Sequence, residues 1–119
     1  MVRTPSKSTW RIITNMSRNP LLKGLKPMHP GEMLREDILP SLGKRKSEIA
    51  LLLGVSRPTL YDVLNEERPI TPNLALRLAR LVGGSPETWL RLQDAYDLAH
   101  MQKAISRELA AIPRLEPVE

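Results

Sequence analysis

Few residues in this chain are placed to make or break a bond. His29 and His100 are its only histidines; they stand far apart, and neither has a carboxylate cluster at metal-ligand spacing beside it. The chain has no Cys, which excludes thiolate metal sites, thiol nucleophiles and disulfides together. Its serines lie in neither a Gly-x-Ser-x-Gly turn nor a phosphate-binding glycine loop. The chain therefore reads as a non-enzyme with no catalytic residue, no metal and no cofactor. The residues suited to non-covalent recognition lie between Lys44 and Asn65. Lys44, Arg45 and Lys46 form a basic turn that suits phosphate, and Thr59 adds a hydroxyl for the same purpose. Arg57, Pro58, Tyr61, Asp62 and Asn65 share the outer face of one short helix, with Ser56 at its tip. Arg57 can give two donors to guanine O6 and N7, and Asp62 can accept from cytosine N4. Pro58 lacks an N–H and offers only apolar contact, for example to a thymine methyl.

Such a face reads bases only if the helix beneath it is held rigidly. The run from Lys46 to Asn65 supplies the parts. Two short helices meeting near a right angle need a small residue at their closest approach, and Ala50 fits; the bend needs positive φ, and Gly54 fits. Ile49, Leu53 and Val55 form one side of an apolar wedge. Leu60, Val63 and Leu64, spaced i, i+3, i+4, form the other. The result is a helix-turn-helix, with helices over about residues 46–53 and 57–65.

Punctuation elsewhere places three more helices. Pro30 suits a first turn, Met33, Leu34 and Ile38 share a face, and Pro40 is expected to end the first helix. Thr71-Pro72 opens a helix that runs to Val82, and Ser85-Pro86-Glu87 opens another that runs to about Ala111. No period-2 run reads as a strand. The fold class is thus all-α with five helices. Trp89, Leu92 and Tyr96 form a stripe on the fifth helix, either core of the single chain or part of a two-fold interface. The first reading buries them internally. The second makes them homodimer contacts, enlarged by Met101, Ile105, Leu109 and Ile112.

Charge and composition set the boundaries. The chain of 119 residues carries 18 Lys+Arg against 13 Asp+Glu, a net charge of +5. Residues 1–27 hold six of those cations and no acid, so the remainder carries a net −1. A case for nucleic acid rests on local charge, because the high pI belongs to the N-terminal segment. Residues 1–27 read as a flexible, disordered basic tail, with a short helix over 9–16 and a polyanion as its electrostatic match. Met16 and Met28 are alternative starts. Residues 28–112 read as the DNA-binding and dimerisation domain, and 113–119 as a C-terminal tail. With no Phe, two Trp and two Tyr, the core must be aliphatic. No apolar run is long enough for a membrane span, and no apolar segment follows the first basic residues as in a secretory signal. The expected setting is cytoplasmic, with no membrane partner.

Residues 29–99 resemble the HigA-type antitoxins, a family of lambda-repressor-like helix-turn-helix proteins. The resemblance is carried by the opening His29-Pro30-Gly31-Glu32 and the core Leu53-Gly54-Val55-Ser56-Arg57-Pro58-Thr59-Leu60. It extends through Ile70-Thr71-Pro72 to the closing Trp89-Leu90-Arg91-Leu92-Gln93-Asp94-Ala95-Tyr96-Asp97-Leu98. It implies five helices, a homodimer, binding to double-stranded operator DNA, repression of its own operon and neutralisation of an RNA-cleaving HigB-type toxin. Two departures stand out. Arg45 replaces the usual hydroxyl cap before the second helix, so the basic turn is either a phosphate site or a solvated turn with Ser47 as a late cap. Tyr61-Asp62 on the outer face and Glu66-Glu67 after it stand where Ser, Arg and Gly are common, with Glu66 and Glu67 expected to face solvent. A stand-alone repressor without a toxin, or an interaction module that has lost DNA binding, also fits the residues.

Overall fold

The computed structural model describes residues 27–118. The expected helix over 9–16 and nearly all of the basic tail lie outside the described residues. Six helices and no strand make up the described part. They are α1 (residues 30–42), α2 (Lys46–Leu53), α3 (Arg57–Leu64), α4 (Pro72–Val82), α5 (Pro86–Ala104) and α6 (Ser106–Ala110).

Local chemistry sets most boundaries as anticipated. Ser56, Thr71 and Ser85 are N-caps, and their hydroxyls accept from the N–H three residues on: Thr59 at 3.2 Å, Leu74 at 3.3 Å and Thr88 at 3.1 Å. A proline occupies the first turn behind each cap, where its missing N–H costs nothing. Gly54 ends α2 in the left-handed region at φ 73°.

Two boundaries differ from the sequence reading. Pro40 does not end α1. Residues Leu34–Ile38 widen into a π-turn, with the Leu39 N–H reaching back to the Leu34 carbonyl, and the helix continues through Pro40 to Leu42. The wider turn gives the proline ring room beside the preceding carbonyls. It also keeps Leu34, Ile38, Leu39 and Leu42 all buried. The second difference is at Ile105, where φ −113° and ψ 26° break the expected single helix into α5 and α6. Residues 101–112 are exposed apart from a half-buried Ile105, so little tertiary packing holds that stretch straight.

The core is aliphatic around one aromatic. Trp89 is fully buried, in one cluster with aliphatic residues such as Ile38, Ile49, Leu60, Leu78 and Val82, and its indole N–H donates to the Gly83 carbonyl at 3.4 Å. Gln93 is also buried, yet fully used: its carbonyl accepts from the Ile70 N–H at 2.8 Å and its amide donates to Asp97 at 3.0 Å. Among the described residues no buried side-chain polar atom lacks a partner, as a stable interior requires.

His29 caps α1 in an unusual way. Its Nδ1 accepts from the Gly31 N–H at 2.9 Å, and its ring meets Tyr96 edge-on at 4.9 Å. Burial lowers its pKa below the ordinary 6.5, with Glu66 and Asp97 offsetting part of the effect. Because the folded chain binds the proton less readily than the unfolded one, the cap contributes fully above the unfolded value and is lost as pH falls through the folded pKa. Urea midpoints are therefore expected to decline as pH drops below about 6.5. His29→Asn, which keeps an acceptor without titrating in this range, should decline less. Equal declines in the two proteins would remove His29 from the pH dependence.

Candidate nucleic-acid interface

The helix-turn-helix is built from α2, the turn at Gly54 and α3. Ala50 is buried, as are Ile49, Leu53, Leu60, Val63 and Leu64 of the same cluster, with Val55 half-buried against it. The opposite face of α3 is open: Arg57, Pro58, Tyr61 and Asn65 are exposed, and Asp62 is partly so. The sequence reading of the two faces holds residue by residue.

The two helices end alike. At α2 the Gly54 N–H donates to Leu51 and the Val55 N–H to Ala50, both at 3.1 Å. At α3 the Glu66 N–H donates to Val63 at 3.0 Å and the Glu67 N–H to Asp62 at 2.8 Å. Each is the paired-bond helix ending that requires one left-handed residue. In α2 that residue is Gly54; in α3 it is Glu66, the one non-glycine at positive φ (63°) among the described residues, at a cost of about 1 kcal/mol. The last carbonyl of each helix is taken by an arginine from outside the pair. Arg77 of α4 donates to Leu53 at 2.9 Å, and Arg35 of α1 donates to Leu64 at 2.6 Å. A cation at a helix C-terminus complements the dipole. Arg77 is itself held by Asn73 at 2.7 Å. Arg35 bonds Glu36 at 2.9 Å and lies 3.5 Å from Glu66, contacts that raise its already high pKa, the Glu36 hydrogen bond first. A Cβ on Gly54 would come within 2.7 Å of the Arg77 guanidinium, so this glycine serves both the turn and the clamp.

The acids expected to face solvent or DNA are largely engaged. Glu66 pairs with Arg35, which corrects its expected place in solvent, and Asp62 lies 3.3 Å from Arg68. Glu67 is exposed, as anticipated. At the basic turn Arg45 and Lys46 are exposed and Lys44 lies 3.8 Å from Glu48. Among the described residues no side-chain capping bond is made at the start of α2, so Ser47 is not the late cap. The Thr59 hydroxyl is tied to Ser56 at 2.7 Å.

The family model described as Helix-turn-helix matches residues 34–90. Antitoxin HigA-1 of Vibrio cholerae is 36% identical over 73 residues, covering 61% of this chain and 69% of that protein. The structure of antitoxin GraA in complex with its operator superposes with a TM-score of 0.72 at 36% identity, covering 79% of this chain and 96% of that one. The Pseudomonas aeruginosa antitoxin HigA with the higBA promoter gives 0.71 at 35% identity, covering 76% and 99%. The chain belongs to the HigA-type helix-turn-helix family.

The interface expected for a HigA-type dimer needs correction. Trp89 and Leu92 are 0% and 6% exposed within the single chain. A side chain already enclosed by its own helices has no surface left for a second copy. Tyr96 is half-buried, between His29 and a His100 ring 4.0 Å away. The exposed large apolar residues of α5 and beyond include Leu98, Met101, Leu109 and Ile112, with Leu115 and Val118 further on.

Sequence reasoning assigned no role to Arg35, Arg77 or Gly31. The arginines act on carbonyls 29 and 24 residues away, so no local pattern announces them. Gly31 lies where α1 crosses α3, and a methyl group there would overlap the Val63 carbonyl oxygen. Gly→Ala inside a helix ordinarily stabilises by about 1 kcal/mol. Gly31→Ala is expected to do the reverse, lowering stability by about 2–3 kcal/mol as an overpacked backbone contact. Urea denaturation checks this; a stabilised variant would show that α1 can move off α3 freely.

Proposed function

We propose that this chain is the DNA-binding antitoxin of a type II toxin–antitoxin pair. It acts as a homodimer that represses its own operon and neutralises an RNA-cleaving HigB-type toxin. It is a cytoplasmic, non-enzymatic protein that needs no cofactor. The observation that carries the reading is the outer face of α3, polar and open while its inner face is sealed and its end clamped. Relatives of the same fold solved with an operator or promoter support it. Arg57, at the start of α3, faces base edges together with Tyr61 and Asn65, and Pro58 gives apolar contact. Lys44, Arg45, Lys46 and the start of α2 take phosphates, with Ser56 and Thr59 beside them. The exposed side chains Leu98 and Met101 of α5, with Leu109 and Ile112 beyond the break at Ile105, supply the surface for the second copy. The pairing of Asp62 and Glu66 within the chain argues against an interaction module whose acids repel DNA.

The full chain is expected to protect two half-sites about 34–36 Å apart on the DNA upstream of its own gene. Arg57→Ala should lose roughly 1–3 kcal/mol of sequence discrimination per half-site, with the helical circular-dichroism spectrum unchanged. A single protected half-site would count against the dimer, and an unchanged preference would make Arg57 a bystander. For the toxin, co-expression with the product of the adjacent reading frame is expected to restore growth that the product alone arrests. Continued arrest, with both proteins present and soluble, would leave a stand-alone repressor.

A further inference from the structure

The proposed interface leaves one acid to explain. Asp62 lies on the outer face of α3 beside Tyr61, where a free carboxylate would meet DNA phosphates. The structure pairs it with Arg68, six residues on and beyond the end of the helix, at 3.3 Å. We propose that Arg68 is a phosphate-binding residue of the DNA interface, and that Asp62 is the positioning residue that holds it there and does not itself read a base. This rests on the DNA-binding reading.

Three observations carry it. The segment bearing Arg68 is fixed on both sides. On one side the Glu67 N–H is bonded to the Asp62 carbonyl at 2.8 Å. On the other, Ile70 is buried, with its N–H on Gln93 at 2.8 Å. Asp62 thus holds this segment twice, through its backbone oxygen and through its side chain. Second, the left-handed turn at Glu66 brings the chain back along the last turn of α3, so Arg68 lies at the C-terminal end of the reading face. Base contacts in a recognition helix come mainly from its N-terminal residues, so a cation three residues past Asn65, outside the helix, is placed for the sugar-phosphate backbone. Third, the guanidinium is free to act. The Arg68 side chain is 48% exposed, and among the described residues its one side-chain hydrogen bond is to Asp62. The remaining donors match the fork that binds phosphate. Holding a long side chain before binding reduces the ordering that DNA contact requires.

The test uses the full-length chain with its operator and with a scrambled duplex, measuring anisotropy across a salt series. Arg68→Ala is expected to weaken both duplexes by the same factor and to reduce the log–log salt slope by about 0.9 per protomer. Arg68→Lys, which keeps the charge, should retain the slope. Asp62→Asn should weaken binding in the same direction but less, and the double variant should match Arg68→Ala alone. Thermal midpoints by circular dichroism establish that the variants are folded. An unchanged slope in folded Arg68→Ala would overturn the proposal, making Arg68 only the neutraliser of Asp62. So would Asp62→Asn binding more tightly, or altering preference at a single base pair, which would make Asp62 a repelling group or a base reader. Additive losses in the double variant would also overturn it. A wild-type chain that does not distinguish operator from scrambled DNA would overturn the DNA-binding reading itself, and this inference with it.

Discussion

Everything at the reading face depends on how closely α1 can lie against the end of α3. Gly31 allows that approach because it has no side chain to meet the Val63 carbonyl. Once the helices touch there, Arg35, one turn further along α1, is within reach of the Leu64 carbonyl and of Glu66. His29, just ahead of the glycine, is brought against Tyr96 of α5. The opening and closing segments of the helical domain thus meet around the base of the recognition helix. A wider spacing between α1 and α3 would break the clamp of Arg35 on the Leu64 carbonyl.

The two helices of the motif share one solution to a common problem. A short helix leaves its last carbonyls unsatisfied, and a buried or half-buried end must find donors from elsewhere. Here the chain turns back with paired N–H bonds, and an arginine from a flanking helix completes the end. The arginines sit on different helices, so α2 and α3 are fastened to α4 and α1 respectively as well as to each other. Such attachment restricts rotation of α3 about its own axis, and that rotation decides which side chains point into a groove. Glu66 holds the left-handed position that Gly54 holds in α2, and its carboxylate lies 3.5 Å from the clamping Arg35.

Electrostatics follow the same logic of local placement. Residues 28–119 carry a net −1, so global attraction to a polyanion is absent from the helical domain. What matters is which charges are committed internally. Glu48, Asp62 and Glu66 each have a cation within 4 Å, while Arg45, Lys46 and Arg57 stay exposed. Surface ion pairs add little to stability. Their effect here is on the sign of the field that the motif presents.

The sequence by itself determined the order of helices, the three hydroxyl caps, the turn at Gly54 and the division of α3 into inner and outer faces. Each of these is settled within a few residues: a cap spans three positions, a turn one, and a helical face repeats every three or four. Tertiary structure alone decided the rest. Pro40 is carried inside a helix because a π-turn keeps Leu39 and Leu42 in the core. Trp89 and Leu92 belong to the single chain's interior, since the stripe on α5 looks the same in sequence whether its own helices or a partner cover it. Gly31, Arg35 and Arg77 derive their roles from neighbours more than 20 residues away. A close backbone approach or a shared carbonyl exists only after the chain has folded, and no periodicity records it.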